Sequence, residues 1–163
     1  MKNHELKLIY EKYYKPLFLY ALSLTKNKQD AEDLVQSTFL KALLSYQNTG
    51  SIRYWLTKVL RNEFLNQCQN KKRILDEGSI DLDILESDMC VLNEIIQNEE
   101  KRILLYTIMQ LPILQKEILI ESIYFNLTDE EISSSHNISK ENVRQIRSRG
   151  KRKVIEILKE DTL

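Results

Sequence analysis

The sequence predicts an all-α protein of two small helical domains, an N-terminal helical bundle and a C-terminal helix-turn-helix domain, joined by an acidic linker. Three observations carry this prediction. Apolar residues recur at three- and four-residue steps through most of the chain, the period of a helix with one buried face. Charge is divided along the chain: Met1 to Arg73 holds thirteen Lys or Arg against six Asp or Glu, and Ile74 to Glu100 holds nine acids and no cation. Lys101 to Leu163 has eleven cations and nine acids, so the formal net charge of zero hides two basic modules around an acidic connector. Finally, the stretch from Leu127, LTDEEISSSHNISKENVRQIRSRGKRKVIEIL, reads as two helices around a sharp turn, the second dense with cations. The expected domains are residues 1–73, a linker at 74–100 that runs into a helix, and 101–163.

The first helix is expected from the stripe Leu6, Ile9, Tyr10, Tyr13, Leu17, Phe18, Ala21 and Leu22, with Pro16 either bending it or starting its successor. A polar joint, Thr25 to Gln29, separates it from a second helix. Asp30 is the expected N-cap of that helix, and Leu34, Val35, Phe39, Ala42, Leu43 and Tyr46 form its buried stripe. Asn48, Thr49, Gly50 and Ser51 make a loop. A third helix follows from near Ile52, with Trp55, Leu56, Val59, Leu60 and Phe64 inward, and it ends in the basic cluster Lys71, Lys72 and Arg73. The connector DEGSIDLDILESD mixes turn formers with scattered aliphatics and is expected to be extended when free. From about Asp88, Met89, Leu92, Ile95, Ile96, Ile103, Leu104 and Ile108 set a helical pattern that leads into the second domain.

In the last third, Thr128 can cap a helix whose first turn carries Asp129, Glu130 and Glu131, where the helix dipole favours negative charge. Ser133 to His136 end it, Asn137 suits the left-handed turn, and Ser139 can cap the next helix. On that helix Val143, Ile146, Gly150 and Val154 form a stripe to pack on Ile132 and Ile138. The rest of it is expected to face out: seven cations between Ser139 and Lys153 against Glu141 alone, too one-signed for an ordinary solvated face. DNA is the partner that such a helix fits. Lys140, Glu141, Arg144 and Gln145 lie on its leading turns as candidate base readers, since Arg pairs with guanine and Gln with adenine across the major groove. Arg147, Arg149 and Arg152 complete the candidate DNA-binding set.

Other classes are excluded by what the chain lacks. No apolar run approaches a spanning helix and MKNHELK has no signal-peptide core, so a cytoplasmic protein without membrane insertion is expected. Cys68 and Cys90 lack metal-site or redox spacing, and His4 and His136 stand apart from each other and from any Cys pair. No metal, cofactor or catalytic residue is expected, and His136 is assigned to the interhelical turn.

Two further stretches identify a family. LIYEKYYKPLFLYALSLTKNKQDAEDLVQSTFLKALLSY followed by SIRYWLTKVLRNEFLNQCQNKKR resembles region 2 of bacterial sigma factors of the sigma-70 family, and LPILQKEILIESIYFNLTDEEISSSHNISKENVRQIRSRGKRKVIEIL resembles region 4. The string DAEDLVQSTFLKAL and the spacing of Trp55, Leu56, Arg61 and Asn62 are the specific marks. The two-module layout is similar to the short extracytoplasmic-function (ECF) type, although Asn137 stands where that type usually has Gly. The recognition helix KENVRQIRSRGKRKV is closer to that of primary sigma factors, with Lys140, Glu141, Arg144 and Gln145 at the family's base-contacting positions.

The resemblance implies a protein that binds core RNA polymerase and directs initiation at promoter DNA, reading a −35 element with region 4 and holding the melted −10 strand with region 2. For the −10 strand it points to Asn48, Arg53, Tyr54, Lys58, Arg61 and Asn62, a mixture of cations and an exposed aromatic suited to single-stranded DNA. For polymerase docking it points to Asp30, Asp33, Gln36, Ser37 and Leu40 on the second helix. It allows an anti-sigma factor as a further partner, and the free chain is expected to be a monomer. The alternative is a stand-alone helix-turn-helix transcription regulator, which usually binds a palindrome as a dimer. This chain has neither obvious dimerisation heptads nor an effector domain.

Overall fold

The computed structural model describes residues 3–46, 50–72 and 92–161. Side chains are described for all of these except 71, 72 and 161. Asn48 and the acidic connector up to residue 91 therefore lie outside the described residues. The chain divides into two compact units, Met1–Asp88 and Met89–Leu163.

The first unit holds α1 (Asn3–Thr25), α2 (Lys28–Ser45) and α3 (Ile52–Lys72), each packed on the other two. Pro16 starts no successor: α1 runs unbroken through it. Every residue from Leu17 to Ser23 is buried, wider than the stripe expected, because Leu19 and Tyr20 are enclosed along with Leu17, Phe18, Ala21 and Leu22. Lys26, left-handed at φ 54, reverses the chain after α1 and shortens the joint to two residues. The cap of α2 is also displaced from expectation. Asn27, not Asp30, is the N-cap, and its side-chain oxygen accepts from the Asp30 N–H at 3.0 Å. Asp30 thus occupies the first turn, where its charge meets the helix dipole. Ala31, Leu34, Val35, Phe39 and Ala42 of α2 are buried, as are Leu56 and Leu60 of α3, the helix α2 packs on. Trp55, expected inside, is only half-buried and lies tilted against Tyr46, ring centroids 5.4 Å apart.

The described residues of the second unit open with a helical turn at 92–95, which stops and restarts as α4 (Glu99–Met109). The expected single helix is broken because Asn98 caps the second piece, accepting from the Lys101 N–H at 3.0 Å, and Glu99 and Glu100 then favour a fresh helix start. Next come α5 (Ile113–Ile123), α6 (Asp129–His136) and α7 (Lys140–Asp161), with α7 lying against α4, α5 and α6. Leu92, Leu105, Ile108, Ile118, Leu119, Phe125, Ile132 and Val143 form the core. Gly150 lets α7 approach α5: a Cβ there would stand 3.1 Å from Leu119 Cδ1.

Candidate functional site

The helix-turn-helix is fixed at three points by local sequence. Thr128 and Glu131 form a reciprocal capping box at the start of α6: the Thr128 hydroxyl accepts from Glu131 N–H at 3.1 Å, and the Glu131 carboxylate accepts from Thr128 N–H at 3.0 Å. Asn137 takes the left-handed conformation at φ 56, ψ 45 and ends α6. The Ser139 hydroxyl accepts from Asn142 N–H at 3.1 Å and starts α7. These three devices set where the leading turn of α7 stands.

That turn presents Lys140, Glu141, Arg144 and Gln145, all exposed, and Arg149 and Arg152 continue the exposed cationic surface. Arg147 differs from the outward position expected for it. Its side chain is only 21% exposed, with Nη1 donating to Asp129 Oδ1 at 2.7 Å and to Ser122 Oγ at 3.3 Å. The helical wheel explains this: four residues after the buried Val143, Arg147 borders the core stripe. Arg144, 63% exposed, donates from Nε to the other oxygen of Asp129 at 3.0 Å. The bonds from Arg147 first, and Arg144 second, hold the Asp129 carboxyl below the usual carboxylate range.

Behind this surface lies a buried polar cluster. His136, at the end of α6, has its side chain enclosed, with Nε2 2.8 Å from Glu121 Oε2 of α5 and Nδ1 3.9 Å from Glu117 Oε2. Lys116, Glu117 and Glu121 are themselves buried. His136 is thus a tie from the interhelical turn to α5, beyond the turn role expected of it. Asp129, Glu117 and Glu121 carried no sequence signal for these roles, since their partners lie fifteen or more residues away.

In the first unit, Tyr54, Lys58, Arg61 and Asn62 fall at i, i+4, i+7 and i+8 on one side of α3, with Arg53 beside them. Lys58 and Asn62 are exposed, while Arg53, Tyr54 and Arg61 are half-buried. The Lys58 ammonium sits over the Tyr54 ring, 5.6 Å from its centroid. The first turn of α3 is pinned by the Thr57 hydroxyl, which lies 2.9 Å from the Tyr54 carbonyl and 3.1 Å from that of Arg53. Tyr46 donates to the Gly50 carbonyl at 3.2 Å, and Gly50 at φ 92 supplies a backbone form that other residues rarely take.

On α2, Gln36 is exposed and Leu40 is 57% exposed. Leu44, one turn on, is 75% exposed and extends an apolar ridge beyond the residues expected for docking, although both leucines stand outside the helix's buried stripe. Asp33 accepts from Gln29 at 3.0 Å, and Ser37 donates to Glu63 of α3 at 3.0 Å. Glu63 also bonds Lys41, which depresses its carboxyl most. Asp30 is half-buried and shares a cleft with Leu24, Thr25, Phe64, Gln67 and Cys68.

Comparison with known proteins decides what these units are. Residues 9–74 match the model of sigma-70 region 2, and residues 101–154 that of sigma-70 region 4. The chain is 30% identical over 151 residues to the ECF RNA polymerase sigma factor SigM of Bacillus subtilis (strain 168), covering 90% of each chain. The chain belongs to the sigma-70 family. It is also 24% identical to SigX of the same organism, covering 96% of this chain and 87% of that one. Among solved structures, this sigma factor shares its fold with RpoE in the complex with the anti-sigma factor NepR from Bartonella quintana, with a TM-score of 0.67, 22% identity and 98% of each chain covered. A second likeness is to CnrH in complex with the cytosolic domain of CnrY, with a TM-score of 0.64, 15% identity, and 98% of this chain and 91% of that one covered. Among the described residues, no helix is long and apolar enough to cross a membrane, and no group of three or more His, Cys, Asp or Glu could hold a metal ion.

Proposed function

We propose that this sigma factor binds core RNA polymerase and directs initiation at promoters whose −35 element is read by the leading turns of α7 and whose melted −10 strand is held along α3. The observation that carries the proposal is the capped, exposed set Lys140, Glu141, Arg144 and Gln145, backed by a buried polar tie that fixes the turn before it. Guanine and adenine edges in the major groove fit Arg144 and Gln145, and Arg149 and Arg152 further along suit phosphates. Tyr54 with Lys58 over its ring offers a stacking face beside cations for an unpaired base, with Arg53, Arg61 and Asn62 to line the strand's path. Asn48 belongs to the same proposed site.

Polymerase docking is assigned to the α2 face of Asp30, Asp33, Gln36, Ser37 and Leu40, with Leu44 added as the second apolar residue. Ser37 contributes less directly, since its hydroxyl already bonds Glu63. An anti-sigma factor is a further proposed partner, because both structural relatives were solved with proteins bound, one of them named as an anti-sigma factor.

Transcription reconstituted from core polymerase, promoter DNA and the full chain tests the reading. Initiation should require all three, because two separate DNA-contacting units gain specific affinity only when a scaffold fixes their spacing. Tight promoter-specific binding by the chain alone, unchanged by core enzyme, would favour the stand-alone regulator instead. The double variant Gln36→Ala/Leu40→Ala should keep its helix content by circular dichroism and lose core binding in a pull-down. Wild-type binding by that folded variant would move the docking face elsewhere.

A further inference from the structure

We infer that Asp129 is a specificity-determining positioning residue, which holds Arg144 in a base-reading pose before DNA arrives. The inference rests on the proposed −35 reading and deepens it. A guanidinium carries five N–H donors in a rigid fork, and bidentate pairing with guanine needs only one edge of that fork. Asp129 takes the Nε–H of Arg144 at 3.0 Å, which leaves the terminal Nη1/Nη2 edge for a base. One carboxylate bond to one long side chain would fix little by itself. Here the carboxylate is itself held, because its other oxygen accepts from Arg147 at 2.7 Å.

Arg147 is in turn bonded to Ser122. Ser122 of α5, Arg147 of α7, Asp129 of α6 and Arg144 of α7 therefore form one chain of donors and acceptors across three helices. Both Asp129 and Arg147 are mostly enclosed, at 25% and 21% side-chain exposure, whereas Arg144 at the end of the chain is 63% exposed. Partly enclosed bonds thus end in an exposed reader. Ordering a flexible arginine in the free protein removes an entropy cost that binding would otherwise meet, and it does so for one orientation only.

The charge of Asp129 acts in a second way. A carboxylate beside the DNA-facing surface weakens attraction to nearby phosphates whatever the base sequence, and so lowers adhesion to unrelated DNA. Its two roles separate in a variant series. Asp129→Asn removes the charge and weakens the hold on Arg144. Glu130→Gln removes a charge on the next residue of the same helix, which is exposed and serves as the control for charge alone.

The experiment uses the full chain with core polymerase on a promoter set in which each −35 base pair is replaced in turn, with competition by unrelated DNA. Arg144→Ala identifies the base pair that Arg144 reads. Asp129→Asn should then lose discrimination about fivefold at that same base pair, while affinity for unrelated DNA stays level or rises. The double variant Asp129→Asn/Arg144→Ala should discriminate no worse than Arg144→Ala alone. Glu130→Gln should shift all promoters alike.

If Asp129→Asn shifts every promoter by one common factor, as Glu130→Gln does, while Arg144→Ala remains selective, the positioning role is overturned and the −35 reading stands. If Arg144→Ala itself acts evenly on all −35 variants, base reading by Arg144 falls and the inference with it. A readout on the unaltered chain covers the case in which Asp129→Asn does not fold. The Arg144 Nε–H nitrogen resonance should be as ordered as the helix backbone in the free protein. Free averaging of that group on the nanosecond timescale would overturn the inference.

Discussion

The two units bury polar groups in different ways. In the first, the buried serine and threonine side chains among the described residues are Ser23, Thr38 and Thr57, and each hydroxyl bonds a carbonyl of its own helix: Tyr20, Leu34, and Arg53 with Tyr54. These bonds run along single helices, and most of the buried side chains of α1–α3 are apolar, with Glu63 of α3 joined to Ser37 and Lys41 of α2. In the second unit, Lys116, Glu117 and Glu121 are buried with the His136 side chain, and Glu121 reaches from α5 to the end of α6. Buried charged groups contribute little net stability but penalise every arrangement that leaves them unpaired. The unit proposed to read duplex DNA, where register matters at the scale of one hydrogen bond, is the one that carries this device. The unit proposed to grip an unpaired strand relies on a packed bundle and a cationic, aromatic face.

The contrast is measurable because the sequence has one tryptophan, Trp55, and it lies in the first unit. Its fluorescence follows α1–α3, while circular dichroism follows both units, so a variant can be assigned to a unit by which signal moves. The largest expected effect is that of Glu121→Ala, which strands the buried His136 side chain and should destabilise the second unit by about 3 kcal/mol. Thermal melting should show a lowered circular dichroism transition with the Trp55 transition unmoved. A loss under about 0.5 kcal/mol would mean that His136 is not stranded when Glu121 is removed.

Gly150→Val comes next, at about 1 to 3 kcal/mol in the same unit, because added methyl groups meet the buried Leu119 where even a Cβ stands 3.1 Å away. Chemical denaturation of the full chain measures it, and a stabilised variant would show that α5 and α7 can separate without cost. Thr38→Val probes the opposite case in the first unit. Its hydroxyl bonds the Leu34 carbonyl one turn back, at 2.8 Å, and valine keeps the volume, so stability should stay within about 1 kcal/mol of wild type. A loss as large as that of Glu121→Ala would erase the contrast between the two cores.

The smallest effect is one of pH. The Asp129 carboxyl is held low by Arg147 and then Arg144. Its contribution is therefore complete above the unfolded value of about 3.9 and is lost as pH falls through the depressed folded value. The stability gap between wild type and Asp129→Asn should be constant near neutrality and close in acid below about pH 4. Melting temperatures of the two proteins from neutral pH into acid give the gap directly. A gap unchanged throughout acid would mean that the carboxylate charge does not stabilise the unit.

Local sequence was sufficient wherever the deciding interaction spans a few residues. The capping box of Thr128 and Glu131, left-handed Asn137 and the Ser139 cap follow from side-chain oxygens within three residues of the N–H groups they accept from, and from the backbone tolerance of Asn. The two-unit, all-α architecture and the cationic helix were likewise legible in the helical stripes and the divided charge. The displaced cap of α2 shows the limit even at short range. Asn27 and Asp30 are both good caps, and the reversal at Lys26 decides between them.

Tertiary structure alone decided what each polar side chain does once the helices pack. The helical wheel puts Arg147 at the edge of the apolar stripe and Arg144 outside it, but that Ser122 of α5 and Asp129 of α6 are the groups bonded to Arg147 was set by packing. His136 reads as a turn residue until α5 brings Glu121 to it across fifteen residues of chain. Periodicity in sequence records which face of a helix is apolar, but not which neighbour covers it. The partners of Asp129, Glu121 and His136 are set by three-dimensional packing.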